Sequence, residues 1–113
     1  MKTVLVVVAV LAGAFSPTAG RAQMPESQVV LENPSIRITI LTFVPGGATG
    51  RHQGIESEIG ILVEGELTVE SPTGRQQLAP GGVYWMPGLT PHDVRNESGR
   101  PAKLWDIFLK RCD

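Results

Sequence analysis

The residues best suited to chemistry lie in two short stretches of this chain. The first reads Gly46-Gly-Ala-Thr-Gly-Arg-His52-Gln-Gly54-Ile-Glu56-Ser-Glu58 and runs on through Ile-Gly-Ile-Leu-Val-Glu to Gly65. The second reads Gly81-Gly-Val-Tyr-Trp-Met-Pro87-Gly-Leu89-Thr-Pro-His92-Asp-Val-Arg-Asn96. Along an extended strand, residues two apart project to the same side. His52, Gly54, Glu56 and Glu58 therefore share one side, and His92, Val94 and Asn96 share another. The two imidazoles and one carboxylate of His52, His92 and Glu58 form a donor set that suits a divalent transition metal. Two histidines and a carboxylate with open positions are the facial arrangement of non-haem iron, while imidazole also suits zinc or nickel and carboxylate suits manganese. If Glu58 points into an apolar interior, a cation would also offset the penalty of burying its charge.

Other chemistries fit poorly. There is no Gly-x-Ser-x-Gly elbow and no glycine-rich phosphate loop leading into a helix. Asp93 follows His92 directly, so the two side chains point apart on a strand and form no relay. Cys112 is the only cysteine, which rules out an internal disulfide and a Cys-x-x-Cys redox pair. No residue stands out as a separate general base.

The elements that must position these groups are short strands. Glycines and prolines punctuate apolar runs, and no stretch keeps a helical period, a pattern of sandwiches and barrels. Gln28 to Leu31 opens, and Ile36, Ile38 and Ile40 alternate with Arg37 and Thr39 as a half-buried strand. Ile59 to Glu64 reads as a buried strand. In Glu66-Leu67-Thr68-Val69-Glu70 the two apolar residues go in and the three polar ones go out. Arg75 to Leu78, Val83 to Met86, His92 to Asn96 and Lys103 to Leu109 follow, separated by Gly/Pro turns. The expectation is an all-β jelly roll of about nine or ten short antiparallel strands. Tyr84 and Trp85 fall on opposite faces, so one of them lies outside, where an exposed tryptophan favours pairing of two copies. Asp106 sits among apolar neighbours, at the barrel mouth or beside an arginine.

The two stretches resemble the paired motifs of the cupin superfamily. Gly46, His52, Glu58 and Gly65 fall on the first motif, with Gly54 standing where a second histidine is usual. Gly81, Pro87, His92 and Asn96 fall on the second, with Leu89 in place of its inner glycine. The likeness runs from Gln28 to Leu109. It implies a double-stranded β-helix whose interior holds His52, Glu58 and His92 around a metal ion. At position 54, water or substrate takes the missing donor's place, Gln53 or Glu56 turns in, or metal binding is lost. The glycines and prolines then shape turns, and Asn96 ties down loop backbone. Similar proteins include dioxygenases, isomerases and decarboxylases, which leaves a metal-dependent activity on a small organic molecule as the leading expectation. The alternative is a non-catalytic ligand-binding or vestigial module without metal.

The chain begins with Met1-Lys2, then an apolar run from Val4 to Phe15, then small and polar residues up to Gly20-Arg21-Ala22. This is the layout of a secretory signal peptide over residues 1–22. The run falls short of the ~20 residues that span a bilayer. Residues 23–113 then form one small domain, periplasmic or secreted, without a stable membrane anchor. Loss of Lys2 and Arg21 leaves eight basic residues against eleven acidic ones. That balance excludes a nucleic-acid partner, which needs a basic face. A domain this small gains from burying a face against a second copy, so a homodimer with a small-molecule ligand or substrate is expected.

Overall fold

A computed structural model describes residues 22–110. The expected signal peptide lies outside those residues but for Ala22, as does Cys112. Over the described residues the architecture is all-β, with eight antiparallel strands: β1 (Glu26–Glu32), β2 (Ile36–Phe43), β3 (Ser57–Glu64), β4 (Leu67–Ser71), β5 (Gly74–Leu78), β6 (Val83–Met86), β7 (Asp93–Arg95) and β8 (Ala102–Leu109). Two single-residue bridges, Ala48 to Arg95 and His52 to His92, add the pairing that a higher strand count would have supplied. One sheet has the order β1-β2-β8-β3-β6, and the other has the order β5-β4-β7.

Cross-strand partners in an antiparallel pair share a face, so the register sorts the five-stranded sheet. Thr39 pairs with Asp106, Leu41 with Leu104 and Phe43 with Ala102. Glu58 pairs with Met86 and Gly60 with Tyr84. These residues face the second sheet. At one end of the sandwich, Phe43, Leu62, Leu67, Val69, Val94, Ala102 and Leu104 pack into the apolar core. At the other end the inward residues are polar, and the functional candidates gather there.

The pattern on β2 is half-buried, but its buried side is the one opposite the isoleucines. Thr39 and Phe43 are buried, while Ile36, Ile38 and Ile40 lie on the outer face. On β4 the alternation has a similar exception. Leu67 and Val69 point in as expected, yet Thr68 is buried too. Its hydroxyl donates to Gln77, and a carboxylate oxygen of Glu97 lies 3.3 Å away. Polar side chains cover it, so burial here reflects a neighbour's reach and not an inward direction.

Candidate functional site

Glu58 enters the barrel from β3 and is only 5% exposed. Tyr84 comes from β6 beside it and donates its hydroxyl to Glu58 Oε2 at 2.9 Å. This contact depends on a missing side chain: a Cβ on Gly60, Tyr84's cross-strand partner, would stand 2.1 Å from the tyrosine ring. Glycine at position 60 therefore lets the aromatic ring lie flat and carry its hydroxyl to the carboxylate.

His92 arrives from the other sheet, at the end of the loop that Pro87 and Pro91 shape. It is 3% exposed. Its Nδ1 donates to the carbonyl of Thr90 at 2.8 Å, which leaves Nε2 with the lone pair in the neutral ring. Nε2 lies 3.3 Å from Glu58 Oε2, close but not aligned as a hydrogen bond. His52 is built alike: its Nδ1 meets the carbonyl of Gly50 at 2.9 Å. The backbones of His52 and His92 exchange two hydrogen bonds of 2.9 Å each, and their ring centroids stand 4.3 Å apart at 54°. His52, however, is exposed where His92 is buried.

Asp106 completes the polar end. It is buried, faces inward from β8 and has no arginine partner among the described residues. The residue that Arg37 engages is Glu56, at 2.8 Å, and the guanidinium also lies 4.5 Å over the Phe108 ring. That ion pair engages the Glu56 carboxylate, and Gln53 is exposed. Burial, reinforced by the negative charge of Glu58, pushes the Asp106 carboxyl up to about 8, against the opposing pull of His92 and Arg37. Burial opposes a charge on His92, but the Glu58 carboxylate, the Thr90 carbonyl and Asp106 outweigh it and raise the imidazole above its ordinary value. Burial and the two carboxylates likewise raise the Tyr84 phenol.

Two buried polar side-chain atoms among the described residues lack a hydrogen-bond partner, His92 Nε2 and Asp106 Oδ1. Both belong to this cluster. Buried polar atoms are ordinarily paired, so the site is chemically poised for a bound group. The donor chemistry fits a cation: each histidine fixes Nδ1 on a carbonyl and leaves Nε2 free, as metal-bound imidazoles do. The placement fits less fully. The structure brings His92 and Glu58 together and sets His52 beside His92, but among the described residues no three His, Cys, Asp or Glu side chains are grouped so as to hold a metal ion. Gly54 has an ordinary backbone conformation, and a Cβ there would meet nothing within 4 Å.

Sequence reasoning did not assign Tyr84 and Asp106 to the site. Asp106 did leave a signal, since it shares the inward side of β8 with Leu104. Tyr84 left none, because its role arises from a cross-strand contact with Gly60. Asn96 ties down the loops as expected: its amide nitrogen donates to the carbonyls of Val44 and Arg100, and its oxygen accepts from the backbone and hydroxyl of Ser98. Beside the His92 loop, a cleft of about 550 Å³ is lined by Trp85, Met86, Pro87, Thr90 and Pro91 among others. That is the size range of small-molecule sites.

Residues 39–108 match the family described as cupin domain. The chain is 34% identical over 96 residues to the beta-alanine degradation protein BauB of Pseudomonas aeruginosa, an alignment covering 81% of this chain and 99% of that protein. Among solved structures, a cupin domain from Bordetella pertussis Tohama I superimposes with a TM-score of 0.70 at 28% identity, covering 80% of this chain and 98% of that one. A protein from Thermus thermophilus superimposes with a TM-score of 0.73 at 28% identity, covering 79% of this chain and 86% of the other.

Proposed function

The chain belongs to the cupin domain family, and from that premise we propose that it is a small exported cupin whose barrel holds a divalent transition metal and acts on a small organic molecule. His92 and Glu58 would hold the ion, with His52 as the third donor. Iron, manganese, zinc and nickel all suit that set. Such an ion supplies Lewis acidity or redox chemistry to a bound oxygen group.

The chain's own residues supply the rest. Tyr84 fixes one oxygen of Glu58. The Thr90 carbonyl fixes the tautomer of His92. Asp106, protonated over most of the neutral range, offers a buried hydroxyl donor to whatever lies in the barrel. The cleft beside the His92 loop gives the organic part of a ligand room to lie. BauB is named for the degradation of β-alanine, which is in keeping with a small polar organic ligand here. The signal-peptide-like sequence pattern of residues 1–22 is what supports action outside the cytoplasm.

The observation that carries the metal reading is the orphaned Nε2 of His92, facing a carboxylate oxygen across 3.3 Å. Two lone pairs in that relation need a proton or a cation between them. Elemental analysis of the purified chain and of His92→Ala tests it. Stoichiometric transition metal that disappears in the variant is the expected result; metal-free wild-type protein overturns it.

A second reading follows from Gly54 and from the loose placement of His52: a binding cup without metal, in which His92 and Glu58 share a proton. A small ligand that co-purifies with metal-free protein would favour it.

A further inference from the structure

At its polar end, the inner face of the five-stranded sheet carries a row of four side chains from four neighbouring strands. Cross-strand pairing sets Arg37 of β2 beside Phe108 of β8, Phe108 beside Glu58 of β3, and Glu58 beside Met86 of β6. Strands lie ~4.8 Å apart, so the main chains of Arg37 and Glu58 stand about 10 Å apart with Phe108 between them. Beyond Phe108 the interior offers acceptors: Glu58, Asp106 and the lone pair of His92. Arg37 is the cation at its rim. Its charge is felt at Asp106, where it opposes the rise that burial causes.

The guanidinium lies 4.5 Å over the Phe108 ring, and such stacking fixes its plane. Its N–H groups form a fork that matches both oxygens of one carboxylate. Glu56 fills that fork poorly. Among the described residues its Oε1 takes a single bond, from Nη2 at 2.8 Å. The two side chains are 28% and 23% exposed, and ion pairs open to water are weakly held. The other acid at this end, Glu32, is engaged by Lys110 at 2.8 Å.

We infer that Arg37 is the anchor for the carboxylate of a short organic acid, and that Glu56 is its resting stand-in. The incoming carboxylate takes both arms of the fork, Glu56 turns out to water, and the carbon chain lies along Phe108. The far end of the ligand then points toward Glu58 and Asp106, where the unpartnered Asp106 Oδ1 is left to pair with it. Glu56 itself selects the chemistry, because the position already receives a carboxylate. This assignment rests on the proposed uptake of a small organic molecule by the barrel, and it does not depend on the metal.

The test is an NMR titration of the full chain, as its host processes it, with propionate and with its neutral amide. The Arg37 Nε–H and the Phe108 backbone amide report binding. Zinc-loaded and chelator-treated samples are compared, with metal content measured in each. Propionate should shift both resonances and propionamide neither. Glu56→Gln removes the stand-in and should bind propionate severalfold more tightly. Arg37→Gln should weaken binding by roughly tenfold or more, the scale of losing a charge-assisted hydrogen bond. Its metal content should match wild type. Arg37→Lys keeps the charge without the fork and should fall between.

The opposite signs of the two charge-removing variants separate an anchor from a merely structural ion pair, whose loss would act alike from either side. If Arg37→Gln unfolds, Arg37→Lys and Glu56→Gln carry the test. An equal response to propionamide, preference for inorganic phosphate, undiminished binding by folded Arg37→Gln, or no gain in Glu56→Gln overturns the inference. Protein that takes up no zinc yet binds propionate through Arg37 would count against the metal reading alone.

Discussion

His52 and His92 face one another as a hydrogen-bonded antiparallel pair, each backbone N–H donating to the other's carbonyl at 2.9 Å. This bridge joins the loop before β3 to the start of β7, and so links the two motifs that lie forty residues apart in the chain. Each imidazole is then fixed by the carbonyl two residues before it. The spacing of the two Nε2 donors is thus set by main chain, and side-chain packing only refines it.

Position 54 is open and unstrained, so Gly54→His should fold normally and add a donor beside His52. Metal affinity is expected to rise roughly tenfold or more, about 1.4 kcal/mol. Competition with a chelating dye measures it. Unchanged affinity would mean that position 54 does not face the ion.

Gly60→Ala drives a methyl group into the Tyr84 ring, since a Cβ there would lie only 2.1 Å from a ring carbon. Overpacking of this kind destabilises by ~1–3 kcal/mol, seen as a lower thermal midpoint. Tyr84→Phe keeps the ring but leaves Glu58 without its hydroxyl donor. Its penalty, about 1–3 kcal/mol, should shrink when metal is added, because a cation satisfies the same oxygen. Equal penalties with and without metal would separate Glu58 from the ion.

Chelator-treated protein should lose stability as pH rises. Folding raises the Asp106 carboxyl to about 8, so between roughly 4 and that value the native state holds a proton that the unfolded chain has released. Stability then falls with pH across that window and levels off above it. His92 acts in the same direction: its raised value contributes stability at low pH that is lost as pH climbs through its native titration. Thermal midpoints at pH 5, 7 and 9 measure the slope. Asp106→Asn should lose less stability than wild type between pH 5 and pH 9; a parallel decline in both proteins would assign the slope elsewhere.

Asn96→Ala removes four hydrogen bonds at a side chain that is only 1% exposed. The carbonyls of Val44 and Arg100 each lose one of two donors, keeping the Gly47 N–H and the Ser98 hydroxyl, at the base of the loop holding Ala48 and Thr49. A loss of ~2–4 kcal/mol is expected from unsatisfied buried groups and the small void. Denaturant titration measures it. A loss under half a kilocalorie would mean that water replaces the amide.

Much of the architecture was legible because turn glycines, prolines and period-2 alternation are local signals. The inward side of β7 followed from His92, Val94 and Asn96 alone, and Tyr84 and Trp85 divided between the faces as their adjacency requires. What was not legible depends on partners remote in sequence. Thr68 is buried because Gln77 and Glu97 reach over it. Glu56 is engaged because β2 carries Arg37 to it. The isoleucines of β2 lie outside because β8 brings Ala102, Leu104 and Asp106 to the inner side of that pairing. Local hydrophobicity marks an apolar face but does not say whether a core or another surface will cover it.

The paired main-chain bonds between His52 and His92 also have an evolutionary corollary. They use groups that nearly every residue carries, so exchanging a ring at either position leaves the frame standing. A lineage built on this scaffold is free to surrender an ionic centre and later recover it through single codon changes. Gly54 marks one such position, where a donor can be lost or regained without rebuilding the walls.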